Sequence, residues 1–346
     1  MSDILVTTEG ALGHIQLNRP KALNALSLEM VETIAASLTR FANDPAVAAV
    51  LMTGAGERGL CAGGDIRALY DHKGDNAAFG MDYFQAEYRM NEQIASFPKP
   101  YIAFMDGITM GGGVGVSAHG NVRLVTEHTR LAMPETGIGF FPDIGASWLL
   151  SRTPGELGTY IALCGQPITG ADAILAKFAD HLVESAQLPV LQEKLSALPA
   201  HTTLAEIRAL VDEVALPATA PLAEHLDEIN RCFQFDSVEE ILSALAESGS
   251  EFAQETAFII QQKSPISLKV TLRLIRLGRA SDNLRICLQR EYAACRHVLK
   301  GDDFYEGVRA AVIDKDRDPH WHPKKLADVS DTMVEAYFQP ESSQLF

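Results

Sequence analysis

The chain changes character near residue 190. Before that point short apolar or β-branched runs alternate with amphipathic segments, and after it the strand-like runs stop and helical segments continue to the C-terminus. Such alternation specifies an α/β layer structure, and the strand-free remainder must then pack as helices on a core already formed. The expected strands begin with Ile4–Thr8 and Leu12–Leu17, a hairpin about Glu9-Gly10. Ala46–Thr53 follows as a continuous apolar run of the kind buried on both faces, then Tyr101–Met105, Val122–Val125 and Arg130–Ala132. A helix is expected from Ser27, with Leu28, Val31, Ala35, Leu38 and Phe41 at helical spacing and Asn43-Asp44-Pro45 as its stop; a second lies near Asp82–Phe97. Thr153-Pro-Gly-Glu156 and Thr169-Gly-Ala-Asp172 look like further helix N-termini. Pro189, Pro199, Pro217 and Pro221 punctuate the transition, so the expected division is 1–190 and 191–346.

A chain of 346 residues can bury a sizeable core without disulfides. Its 29 Lys+Arg against 45 Asp+Glu give a formal charge of −16, which disfavours nucleic acid and anionic membranes as partners. An anionic ligand must therefore be met by local cations or by backbone amides. No apolar stretch reaches the ~18–20 residues of a bilayer span. The five cysteines are scattered, with no CxxC or CxxH spacing, and His14, His119 and His181 share no metal-ligand spacing, so neither a disulfide framework nor a metal site is expected. These features lead to the expectation of a cytoplasmic protein.

Three glycine clusters carry the first chemical signal. Gly54-Ala-Gly56-Glu-Arg-Gly59 has the spelling of a dinucleotide loop, but Cys61-Ala-Gly63-Gly64 follows and would break the helix that must cradle a pyrophosphate; a turn is the better reading. Cys61-Ala-Gly-Gly-Asp65-Ile allows a sharp turn just before Asp65, which can cap a helix running through Leu69. Met110-Gly-Gly-Gly113-Val-Gly115 has the same property after the strand Tyr101–Met105. Loops of this kind leave N–H groups facing outward, an arrangement that suits a developing oxyanion.

The second signal is acidic. Met133-Pro-Glu135-Thr-Gly-Ile-Gly-Phe-Phe-Pro-Asp143-Ile-Gly holds two acids, each directly after a proline, and its prolines and glycines exclude a continuous helix. A carboxylate in such apolar surroundings must be partnered or functional. Two plainer readings compete: Glu135 as a surface loop acid, and Asp143 as the N-cap of a helix over Ser147–Arg152.

Together these segments resemble the enoyl-CoA hydratase/isomerase (crotonase) family. Arg19-Pro-Lys-Ala-Leu-Asn-Ala-Leu26, Cys61-Ala-Gly-Gly-Asp65-Ile, Gly107-Ile-Thr-Met-Gly-Gly-Gly113 and Met133-Pro-Glu135 stand in that family's order and spacing. Lys263-Ser-Pro-Ile-Ser-Leu-Lys269 and Asp303-Phe-Tyr-Glu-Gly-Val-Arg-Ala-Ala-Val-Ile-Asp-Lys315, with the long strings around Gly112 and Glu135, extend the likeness over the whole chain and toward the family's thioester-hydrolysing branch. The resemblance implies an α/β fold with a β-β-α spiral core, a helical C-terminal region packed on it, and a CoA thioester as ligand. No separate cofactor is implied, because CoA is part of the substrate, and a homo-oligomer is compatible with the likeness.

One departure bears on the reaction. Hydratases of the family add water with two glutamates, and Gly115 occupies the first of those positions while Glu135 fills the second. Asp143 stands where hydratases have glycine. The resemblance therefore implies hydrolysis of a short branched 3-hydroxyacyl-CoA, such as 3-hydroxyisobutyryl-CoA, in valine catabolism. Glu135 would attack the thioester carbonyl or activate water, with the oxyanion held by the amides of Gly64 and Gly112. Asp143 would bind the 3-hydroxyl or protonate the leaving sulfur. Glu87 matches a substrate-contacting glutamate, with an exposed helix acid as the competing reading, and Phe140 and Phe141 would wall off the acyl group. Lys269, Arg273 and Arg276, at i, i+4 and i+7, and Arg19, Lys21 and Arg67 are candidates for CoA phosphates.

Overall fold

The computed structural model describes residues 2–339 and 344–346. Its strands form two sheets. The larger contains β1 (Ile4–Glu9), β2 (Leu12–Leu17), β3 (Ala49–Gly54), β5 (Tyr101–Met105), β7 (Val122–Val125) and β10 (His181–Leu182), in that spatial order. The smaller has the order β4 (Gly59–Cys61), β6 (Ile108–Met110), β8 (Arg130–Ala132) and β9 (Ile168–Thr169). β1 and β2 are the antiparallel hairpin expected from the sequence, and β2, β3, β5, β7 and β10 run parallel. Each of β3, β5 and β7 is followed within a few residues by a strand of the smaller sheet and then by a helical turn or helix. Repetition of that β-β-α unit generates a spiral, which is the expected fold class.

Pleating explains the core. Ala49 and Leu51, Ile102 and Phe104, and Val122 and Leu124 share one sheet face and are buried with Leu188, Leu191 and Leu195 of one helix and Ile207 and Val211 of another. Val50 and Met52 on the other face are equally buried, as a continuous apolar strand requires. Truncating Leu51 to alanine would cost about 2–5 kcal/mol.

The helix opened by Ser27 runs Leu28–Asn43, and the Ser27 side chain accepts from the Met30 amide. Thr169 and Asp172 form a reciprocal capping box. The other proposed start, Thr153, lies too early. That helix begins at Leu157, because Thr153 Oγ1 is engaged with the Leu150 carbonyl and the Gly158 amide, and Glu156 is turned toward Arg276 and Arg279.

The chain forms two compact units that interleave rather than divide once near residue 190. One contains the sheets: the N-terminal segment to Gly64, Arg89–Ala132 and Pro167–Ala223. The other joins Asp65–Tyr88 and Met133–Gln166 to the helices from Glu224 onward. The segment 167–223 belongs with the sheets because β9 pairs with β8, β10 with β7, and its helices cover the core just described.

Candidate active site

In the sheet-bearing unit, β4 and β6 are parallel neighbours, so the glycine loops that follow them lie side by side. A methyl group on Gly113 would stand 2.3 Å from the Cys61 carbonyl oxygen, so only glycine permits this approach. The Leu26 amide donates to the Gly63 carbonyl at 2.9 Å and fixes the first loop. Gly112 is the first residue of the turn Gly112–Gly115, where an amide has no intrahelical acceptor. Neither the Gly64 nor the Gly112 amide donates to a partner among the described residues. The Gly54–Gly59 stretch leads from β3 straight into β4, with no helix between them to cradle a pyrophosphate.

In the other unit, the acids come together. Glu135 opens a 3₁₀ turn, Glu135–Ile138, and is 7 % exposed. Asp143 is 5 % exposed. Glu87, on the helix Ala78–Ala95, is 2 % exposed, which excludes the reading of an exposed helix acid. Burial pushes the Glu135 and Glu87 carboxyls well above their ordinary range, and the nearby Asp143 charge pushes both in the same direction. Burial raises Asp143 to about 7 against the hydrogen bonds that favour its ionised form. No cation is paired with any of the three among the described residues, and Glu135 Oε2 has no hydrogen-bond partner among them.

Asp143 is not a helix cap. The helix that follows is Ala146–Leu150, with Gly145 at its N-cap position. Its first amides are taken by Glu291, from the helix Leu284–Lys300: Gly145 N–H donates to Oε2 at 2.7 Å and Ser147 N–H to Oε1 at 2.9 Å. The Ser147 hydroxyl donates to the same carboxylate. Asp143 instead accepts from the Tyr88 hydroxyl at 2.7 Å through Oδ2, and Cys295 Sγ lies 2.9 Å from that hydroxyl. Between them Ile144 has φ +57°, a strained conformation for a β-branched residue that costs roughly 1–3 kcal/mol. Sequence reasoning missed Tyr88, Glu291 and Cys295. The available signal was Glu291, a lone acid in the apolar stripe formed by Leu284, Cys287, Leu288, Cys295 and Val298.

Phe140 and Phe141 are buried and stacked, with ring centroids 4.6 Å apart, and Phe140 also stacks on Phe84 at 5.3 Å. The pair is part of an aromatic cluster next in sequence to the acids. The cations proposed for CoA fare unequally. Arg276 is bound to Glu156 and Asp236, Lys269 to Glu239 and the Val329 carbonyl, and Arg273 to Glu335. These three serve internal ion pairs. Arg19 meets Asp3 and the Ala25 carbonyl. Lys21 and Arg67 are exposed, with no ion pair among the described residues.

The β-β-α spiral with paired glycine loops defines a protein of the crotonase fold class. The chain belongs to the enoyl-CoA hydratase/isomerase family, which matches residues 12–338. Among curated proteins it is 42% identical to the mitochondrial 3-hydroxyisobutyryl-CoA hydrolase of Rattus norvegicus, over 99% of this chain and 90% of that one. Among solved structures it resembles a carnitinyl-CoA dehydratase from Mycobacterium thermoresistibile, at 44% identity and TM-score 0.95, covering 100% and 99% of the two chains. An enoyl-CoA hydratase from Rhodobacter sphaeroides matches at 38% identity and TM-score 0.89, covering 98% of each. The expected cytoplasmic location does not stand, because the rat relative is mitochondrial. Scattered cysteines and the lack of an apolar span, from which that location was inferred, are equally compatible with either compartment.

Proposed function

We propose that the chain hydrolyses a short branched 3-hydroxyacyl-CoA thioester, with 3-hydroxyisobutyryl-CoA as the expected substrate and valine catabolism as its setting. The observation that carries this reading is the cluster of Glu87, Glu135 and Asp143, three carboxylates buried without a cation among the described residues, with Glu135 Oε2 left unpartnered. A carboxylate desolvated in this way is more basic than one in water, and hence a better nucleophile or general base near neutral pH. Glu135 either adds to the thioester carbonyl carbon, giving an anhydride that water then opens, or takes a proton from the attacking water. In both routes the C–S bond breaks and CoA leaves as a thiol. Asp143, with Oδ2 held by Tyr88, binds the substrate's 3-hydroxyl or protonates the departing sulfur. The amides of Gly64 and Gly112 are the donors proposed for the tetrahedral oxyanion.

A second reading, hydration of an enoyl-CoA, is favoured by the names of the two solved structures. Against it stands Gly115, buried in the turn Gly112–Gly115, where a hydratase of this family carries an acid. A thiol-release assay separates the two. The hydrolase releases free thiol from 3-hydroxyisobutyryl-CoA and 3-hydroxypropionyl-CoA faster than from a plain acyl-CoA. Hydration of crotonyl-CoA without thiol release from any ester would reverse the assignment.

A further inference from the structure

The proposed chemistry leaves the fully buried carboxylate of Glu291 without a task. Glu291 sits in the apolar stripe of the helix Leu284–Lys300, with no cation paired to it among the described residues. It accepts from Gly145 N–H, Ser147 N–H and the Ser147 hydroxyl. Those donors lie immediately after Asp143, beyond Ile144 at φ +57° and Gly145 at φ +80°. One helical turn further on, on the same face, Cys295 meets the Tyr88 hydroxyl that donates to Asp143. A single helix thus reaches Asp143 from two directions, through the backbone on its C-terminal side and through the phenol on its carboxylate.

We propose that Glu291 is a positioning residue that holds the strained 143–147 turn so that Asp143 faces the substrate. The proposal rests on the role given to Asp143 above. A carboxylate suits the task because it only accepts, and it here faces three donors. A glutamine at 291 keeps one acceptor oxygen but turns an NH2 group toward a backbone N–H, releasing one end of the turn. A misplacement of about 1 Å at a reacting group costs up to ~100-fold.

The test is a double-mutant cycle on kcat/KM, run with whichever CoA ester the wild type turns over. Absence of thiol release then removes the hydrolase reading without removing this test. Glu291→Gln is expected to lose about 10- to 100-fold, and to show the same ratio between 3-hydroxyacyl and plain acyl esters as Asp143→Asn does. The double variant is expected to be no slower than Asp143→Asn alone, and Glu291→Asp is expected to recover part of the activity. Ser147→Ala, which removes only the hydroxyl bond, should show a smaller loss with the same selectivity change, and it replaces Glu291→Gln if that variant does not fold. Independent, multiplying losses in the double variant would overturn the proposal by showing that Glu291 supports only the fold. An ester preference in Glu291→Gln that differs from that of Asp143→Asn, or full activity in Asp143→Asn, would overturn it equally.

Discussion

Raising the pH from 5.5 to 7.5 should weaken the folded protein. The three carboxyls of the cluster, Glu87, Glu135 and Asp143, are raised in the folded state, chiefly by burial, Asp143 to about 7. In the unfolded chain such groups ionise near pH 4. Between those limits the folded state binds more protons than the unfolded one, so stability is fully present below pH ~4 and is lost as pH rises through the folded values. Each group that keeps its proton contributes a slope of about −1.4 kcal/mol per pH unit. Asp143 alone therefore gives roughly −1 kcal/mol per pH unit around pH 6, and Glu87 and Glu135 act in the same direction. His14 works in the other direction, since burial lowers its pKa, and offsets at most ~1.4 kcal/mol per pH unit below pH ~6.5. Glu156 and Asp180 are held below their ordinary range, against burial, by arginine partners; they are ionised in both states above pH ~5 and leave this window flat. The assay is denaturant unfolding followed by tryptophan fluorescence at pH 5.5, 6.5 and 7.5, for the wild type and Asp143→Asn. The variant should lose one group's share of the slope. Stability that is constant or rising over this window, or an unchanged slope in the variant, would refute the account of the cluster as carboxyls raised by burial.

Three further outcomes are expected. Glu135→Gln should abolish CoA release with the fold intact, and retention of more than about a tenth of wild-type turnover would remove Glu135 from the chemistry, since such groups contribute ~10²–10⁴. Gly112→Pro deletes the proposed oxyanion donor and should cost ~10²–10³ in turnover; circular dichroism must show a native fold, and an active folded variant would sink the assignment. Asp143→Asn should lower hydrolysis selectively on 3-hydroxyacyl esters if Asp143 binds the hydroxyl, and equally on plain acyl esters if it protonates the leaving thiol; unchanged kinetics on every thioester would take Asp143 out of the reaction.

Local signals in the sequence located most of the strands, because an apolar run closed by glycine or proline has few other fates. Val122–Val125 and Arg130–Ala132 stand where the spacing put them. The two glycine loops were legible as turns for the same reason, whereas the short strands β4 and β6 that set them side by side were not expected. Interactions spanning long stretches of chain were not legible. Asp143 read as a cap because the residues around it allow one, whereas the amides of the following turn are satisfied by Glu291, 144 or more residues away in sequence. The basic run Lys269, Arg273 and Arg276 read as a phosphate contact because its acidic partners, Glu239, Glu335 and Glu156, are supplied by other helices.

That distance along the chain also sets an order of events during synthesis. The bond between Tyr88 and Cys295 closes a loop of 207 residues, and the tie from Glu291 to Ser147 one of 144. Contacts of such separation form late, after the entropy of bringing the ends together has been overcome. The hairpin and the first parallel strands can pair while the ribosome is still translating, but the acidic turn stays unanchored until the helix Leu284–Lys300 has emerged. Nascent chains stalled before that helix should carry a formed sheet and remain sensitive to protease around residues 143–147, which makes completion of the acid cluster a late step in this protein's maturation.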